Sequence, residues 1–280
     1  MFEWWYDLWS PELWFLRRAM LLGVLAAPVL GVVGTVVVTR RISSLAGASA
    51  HAALGGVGLA LYFQRVLLWK FFTPELGAVC GALVAALVVG IVSLSASERE
   101  DTVIGVVWAL GMALGLLFLD RTPGYVDWQG YLFGNILLIS RTELYLTLAL
   151  DAAVLVPLVF FYDRLLAVSF DATFAQLRGV RATAIYLVVL ALTALTIVLL
   201  MNMVGVILVI AMLTLPAATS GYFARHLWSM MVLSAVLSAV FVVAGLLLSC
   251  FWRLPSGPAI VVLAGAVYVA AMILRRKRRA

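Results

Sequence analysis

Along this chain apolar residues come in long unbroken runs, and the polar residues collect in short stretches between them. A helix rises about 1.5 Å per residue, so about 20 apolar residues cross the hydrocarbon core of a bilayer. Nine runs meet or approach that length, with cores at 19–38, 51–69, 77–94, 103–119, 143–161, 184–200, 204–219, 229–250 and 258–274. The second is the least regular, carrying Gly55, Gly56 and Gly58. Only a few residues around Met201 and Asn202 part the sixth run from the seventh, which predicts a tight helical hairpin there. Pro216 predicts a break near the end of the seventh.

The segments between the runs are not all mere connectors. Trp4, Trp5, Trp9 and Trp14 alternate with Glu3, Asp7 and Glu12 ahead of the first run. Trp and Tyr favour the headgroup level, so residues 1–18 read as a helix lying on the membrane surface. Residues 162–183 carry a short amphipathic pattern, Phe170, Phe174 and Leu177, with Asp171 and Arg178 on other faces. Ser169 is placed to cap that helix. A short helix of this kind between spans is a docking surface for a partner. In 120–142, the stretch YLFGNILLI suggests a second short helix, re-entrant or interfacial. Gly77 and Gly81, Gly111 and Gly115, and Gly130 and Gly134 have the spacing that lets helix backbones approach closely in lipid. That spacing supports compact bundling without identifying a dimer face.

Composition sharpens the class. Hydrophobic residues make up 65% of the 280 and charged residues 11%, with a mean hydropathy of +1.15. A soluble domain is about 45–50% apolar and about 25% charged. A soluble enzyme, a disordered chain and a nucleic-acid-binding domain are excluded. The fold class is all-α, a polytopic transmembrane bundle of eight to nine spans. Residues 19–274 form the transmembrane domain, followed by a basic tail, 275–280, with Arg275, Arg276, Lys277, Arg278 and Arg279. Such a cluster beside a final span is a cytoplasmic anchor. Placing it inside puts Arg40, Arg41, Arg99, Arg164, Arg178, Arg181 and Arg225 on the same side. Without the tail the two sides balance, so the tail decides the orientation. Cys80 and Cys250 lie in separate apolar runs and read as small buried packing residues, not as a disulfide. No basic stretch followed by a short apolar core opens the chain, so the first spans direct insertion themselves.

Ionisable groups inside spans are costly and mark function. Two stand out: His51, opening the second run in SAHAALGG, and Asp151, near the middle of the fifth in LTLALDAAVLVPL. Imidazole and carboxylate together suit Zn²⁺, and Mn²⁺ also accepts them. A purely structural pair, each group hydrogen-bonded to another helix, has the same appearance in sequence. Catalytic constellations are missing. Neither Lys70 nor Lys277 follows a glycine, so no phosphate-binding GxxxxGK[ST] loop can be written, and neither HExxH nor GxSxG occurs. The chain is read as a non-enzymatic transport subunit; if ATP drives it, another chain binds the nucleotide.

Several passages, in order, resemble the permeases of zinc/manganese ATP-binding-cassette importers, the ZnuB-like family. They are VVVTRRISSLAGASAHAALGGVGLAL (36–61), EDTVIGVVWALGMALG (100–115), YLFGNILLIS (131–140), VSFDATFAQLRGV (168–180) and VGVILVIAMLTLPAAT (204–219). The resemblance implies an importer-permease fold in the bacterial cytoplasmic (inner) membrane, with two permease copies as a homodimer. It implies two cytoplasmic ATP-binding subunits and an extracytoplasmic metal-binding protein that delivers the ion. The chain itself would bind no cofactor; Zn²⁺ or Mn²⁺ would be its cargo, with zinc favoured, and ATP would sit on the partner. The family's histidine maps to His51, and Phe170, Asp171, Phe174, Leu177, Arg178 and Gly179 fall in its coupling surface for the ATPase. Many members carry an acid four residues before that histidine; here Gly47 stands there, and Asp151 would supply the negative charge instead. Asn135 likewise stands where some members have Asp. The alternative from another class is a self-contained secondary cation transporter using His51 and Asp151 as proton relays.

Overall fold

With no water in hydrocarbon to satisfy backbone N–H and C=O groups, each long apolar run closes its own hydrogen bonds as a helix. The computed structural model describes residues 14–95, 100–124, 130, 132, 134 and 140–277. In chain order the helices are α1 (Trp14–Thr39), α2 (Ser43–Arg65), α3 (Pro74–Ser95), α4 (Glu100–Arg121), α5 (Arg141–Phe160) and α6 (Tyr162–Phe170). They continue with α7 (Ala172–Leu177), α8 (Ala182–Val204), α9 (Val206–Ser220), α10 (Leu227–Trp252) and α11 (Ser256–Lys277). No strand occurs among the described residues. Eight of these helices are long and apolar enough to cross a membrane. The seventh apolar run, 204–219, becomes α9, only 15 residues long. From Trp14 to Arg18 the predicted surface segment belongs to the first spanning helix. The tryptophans at 4, 5 and 9, most of YLFGNILLIS including Asn135, Arg99 and the end of the tail lie outside the described residues.

The chain divides into two compact units, one of residues 1–35, 133–156 and 203–280, the other of 36–132 and 157–202. In the second unit α2 is packed between α3 and α4, and it is the least apolar of the spans while being among the most buried. Its glycines explain the irregular pattern. A methyl group on Gly55 would stand 2.7 Å from the Gly111 carbonyl oxygen, and one on Gly58 2.5 Å from that of Gly115. On the other side Gly56 meets the backbone of Gly77, and Gly81 that of Ala52. The GxxxG pairs of α3 and α4 therefore seat on α2, backbone against backbone. Farther along, Gly90 of α3 packs on Leu187 and Leu190 of α8.

The first unit is built on α9, α10 and α11, which pack mutually. Gly31 of α1 lies against the backbone of Ala235 in α10, Gly34 against Leu213 in α9, and Gly245 of α10 against Ile260 of α11. The α9–α11 pair is tied by a hydrogen bond between the Tyr222 and Tyr268 hydroxyls at 3.2 Å, and the Arg275 guanidinium lies 5.2 Å over the Tyr222 ring.

Three local expectations are corrected. The break between the sixth and seventh runs falls at Gly205 and not at Met201–Asn202. Gly205 has φ +85°, a conformation that side-chain-bearing residues rarely adopt, whereas 201 and 202 stay helical. Pro216 lies inside α9, which continues to Ser220, so no break occurs there. Cys80 and Cys250 are free but exposed, not buried. In a membrane protein the outer surface is as apolar as the interior, so an apolar run does not say which way a small residue faces.

The backbone contacts around α2 predict the outcome of a paired substitution. Gly56→Leu drives a side chain into the Gly77 main chain and is expected to cost at least ~1–3 kcal/mol, read as a lowered melting temperature of the purified chain in detergent. Gly105→Ala, where a Cβ meets nothing within 4 Å, is expected to leave melting unchanged or slightly raised. Equal melting of the two variants would remove close approach as the reason for glycine at 56.

Candidate functional site

His51 sits on the second turn beyond the start of α2, half-buried. Its Nδ1 lies 2.9 Å from the Gly47 carbonyl oxygen. A carbonyl only accepts, so in the neutral ring Nδ1 carries the proton and Nε2 keeps its lone pair. This is the arrangement by which a backbone carbonyl fixes the tautomer and ring orientation of a metal-binding histidine. The imidazole also packs on Trp108 of α4, with ring centroids 4.7 Å apart. The same indole accounts for Gly47. A Cβ at 47 would stand 2.5 Å from the Trp108 ring, so the ring fills the space that an acid at that position would need.

Asp151 belongs to the first unit, on α5. Thr147, Leu150, Asp151 and Val154 are all buried, at the i, i+3, i+4, i+7 spacing of one helix face. Thr147 turns its hydroxyl back to the Glu143 carbonyl at 2.9 Å. Asp151 is 8% exposed, and its Oδ1 has no hydrogen-bond partner among the described residues. A buried carboxylate oxygen without a donor is costly, which sets Asp151 apart from the acids at helix ends. Among the described residues no three His, Cys, Asp or Glu side chains cluster to hold a metal ion. His51 belongs to the second unit and Asp151 to the first.

The predicted coupling stretch, 162–183, folds as two short helices instead of one. After Phe170, Asp171 takes an extended conformation and becomes the N-cap of α7, its Oδ1 accepting from the Phe174 N–H at 2.9 Å. The cap is therefore Asp171 and not Ser169, which lies within the last turn of α6. Val168, Ala175 and Ala182 form a small buried cluster that seats the stretch on its own unit. With Ala175 turned inward, Phe174 and Leu177 point outward, 57% and 83% exposed. Arg178 stacks 5.7 Å over Phe174. Gly179 turns the chain with φ +81°. The Phe170 side chain lies outside what is described.

One contributor was not singled out in the sequence. Arg40, in the turn after α1, donates to the Val168 carbonyl, in the last turn of α6, and lies 5.5 Å over the Tyr186 ring of α8. The Tyr186 hydroxyl in turn reaches Ser93 of α3 at 3.2 Å. The last carbonyls of a helix lack intrahelical partners and attract cations, so Arg40 fastens the end of α6. Burial pushes its guanidinium below the ordinary value, with the neighbouring Tyr186 acting the other way. The available signal was the double-basic TRR at the end of the first run.

This arrangement can be set beside known proteins. The sequence profile of the ABC 3 transport family matches residues 12–275. The chain belongs to that family. It is 37% identical over 248 residues to a probable metal transport system membrane protein of Chlamydia pneumoniae, a match covering 88% of this chain and 84% of that protein. It is 32% identical over 265 residues to the manganese transport system membrane protein MntC of Halalkalibacterium halodurans, covering 94% and 88%. In structure it matches a chain of PsaBC from Streptococcus pneumoniae in complex with Fab, with a TM-score of 0.83, 29% identity and coverage of 97% and 95%. The ABC 3 assignment makes this chain a permease, a multi-pass transport component of the bacterial inner membrane. It does not favour a self-contained secondary transporter.

Arg40→Ala removes a charge-assisted hydrogen bond of about 1.5 kcal/mol. Amide exchange over residues 165–178 is expected to accelerate roughly tenfold, with α2 unchanged. Unaltered exchange in that stretch would show that Arg40 does not hold it.

Proposed function

We propose that this chain is the translocating subunit of an importer for a divalent transition metal, with His51 and Asp151 as pathway donors and residues 170–179 as the seat of a separate ATP-binding subunit. The observation that carries the reading is the prepared imidazole: Nδ1 committed to the Gly47 carbonyl, Nε2 left with its lone pair. The unpartnered Asp151 oxygen adds a hard, negatively charged donor. A transport site needs weak, successive contacts more than a closed cage, because a tightly held ion does not leave. His51 and Asp151 would each offer one such contact.

Manganese is the favoured cargo. The support is the name of the 32%-identical relative and the oxygen donor of Asp151. Zinc, the preference drawn from the sequence chemistry, is the second reading, and the imidazole of His51 favours it. Energy comes from the partner. The outward Phe174 and Leu177, held by a capped helix and a glycine turn, offer an apolar footing for a cytoplasmic ATPase. A second copy of the permease and an extracytoplasmic metal-binding protein complete the importer. ATP hydrolysis would bias it between outward- and inward-facing states.

The test is metal accumulation in cells co-expressing this chain with its ATPase and binding protein, with Mn²⁺ and Zn²⁺ in competition. Uptake of Mn²⁺ that requires the ATPase and is lost in His51→Ala is expected. Asp151→Asn is expected to lower uptake more than Asp163→Asn, which changes an exposed acid at the start of α6. Uptake that persists without the ATPase would overturn the importer, and equal effects of the two aspartate variants would remove Asp151 from the pathway. Leu177→Asp is expected to reduce ATPase co-purification without shifting ion preference; normal co-purification would defeat the assigned footing.

A further inference from the structure

A cavity of about 650 Å³ lies in the second unit, where the end of α5, α6, the turn after α7 and the start of α8 meet. Its floor is apolar, formed in part by Leu158, Leu165 and Val189, all buried. Its rim carries three guanidinium groups, Arg164, Arg178 and Arg181, and no acidic residue lines it. All three arginines are exposed. Arg164 and Arg178 rest on the faces of Phe161 and Phe174, at 5.5 and 5.7 Å. The two nearest acids in sequence are otherwise placed: Asp171 caps α7, and Asp163 stands in the first turn of α6.

We infer that this cavity binds the headgroup of an anionic phospholipid. The arginine rim stands at the end of two membrane-spanning helices, α5 and α8, where headgroups lie. Guanidinium forks match phosphate oxygens in a bidentate manner. The floor is as apolar as an acyl chain, and it continues onto the exposed Val188 of α8. A soluble anion would use the rim and leave the floor empty; a lipid uses both. Basic pockets between transmembrane helices at the membrane boundary hold acidic headgroups in this way. Filling this one would join α5 to α8 through the lipid, beside the proposed ATPase footing. The inference does not depend on which ion is carried.

Native mass spectrometry of the purified chain, exchanged into phosphatidylglycerol or phosphatidylcholine, tests it. Retention of phosphatidylglycerol over phosphatidylcholine is expected, by roughly fivefold for each arginine engaged. The double variant Arg164→Gln/Arg181→Gln is expected to lose that preference, and Arg164→Lys/Arg181→Lys to keep part of it. Equal retention of the two lipids by the unaltered chain would overturn the inference, and that comparison stands even if a variant fails to fold. Displacement of phosphatidylglycerol by millimolar inorganic phosphate would assign the rim to a soluble anion and overturn it. Wild-type lipid preference in the glutamine variant, with ATPase co-purification lost, would give the arginines to the protein partner and overturn it as well.

Discussion

In lipid, one helix gains nothing from the hydrophobic effect by leaving acyl chains for another helix. What holds the helices together is close contact and the hydrogen bonds they can share. The second unit rests on that constraint at α2. Gly55, Gly56 and Gly58 bring its main chain against those of Gly111, Gly77 and Gly115. Each contact admits no side chain, so the three helices have one register, and that register places Trp108 against His51 and Gly47. The prepared imidazole thus sits within two turns of the backbone packing that sets its neighbours.

The same logic runs through the coupling stretch at smaller scale. Two short helices have too few residues to be stable by propensity alone. Asp171 satisfies the start of α7, Arg40 the end of α6, and a three-residue apolar cluster seats both. Once the backbone is held, Phe174 and Leu177 can stay exposed without being needed for the fold. Their exposure is then informative, because a residue not used in packing is free to serve a partner.

The eight spanning helices were legible because length and hydropathy suffice for them, and the permease resemblance added the order of passages that periodicity cannot supply. What the sequence did not show is instructive in its causes. Hydropathy cannot tell a lipid-facing from a buried position, so Cys80 and Cys250 were placed on the wrong side. It registers proline more strongly than a lone glycine, so a break was expected at Pro216 where none occurs, and the break at Gly205 was placed a few residues early, at Met201–Asn202. The cap was assigned to Ser169 because one amphipathic helix was assumed where Asp171 divides two. Gly47 read as a missing acid until the indole of Trp108 was seen to occupy that space. Arg40 looked like one basic loop residue among several, since its partner is a main-chain carbonyl 128 positions away that no side-chain pattern reveals.

The tyrosine pair of the first unit also sets a depth. Tyr222 follows the end of α9, and with Tyr268 and Arg275 it forms the kind of aromatic and cationic cluster that settles at the headgroup boundary. Helix α9 has 15 residues, about 22 Å of rise against a hydrocarbon core of about 30 Å. Measured from that boundary, its first turn begins about 8 Å short of the opposite surface. The irregular main chain at Gly205 therefore lies at a level where water is absent and lipid cannot satisfy a peptide group. Such backbone persists at that depth only when protein covers it. Gly205 is buried, with the main chain of Gly134 packed directly on it, so the glycine of YLFG serves as the lid that keeps a broken helix out of the oil.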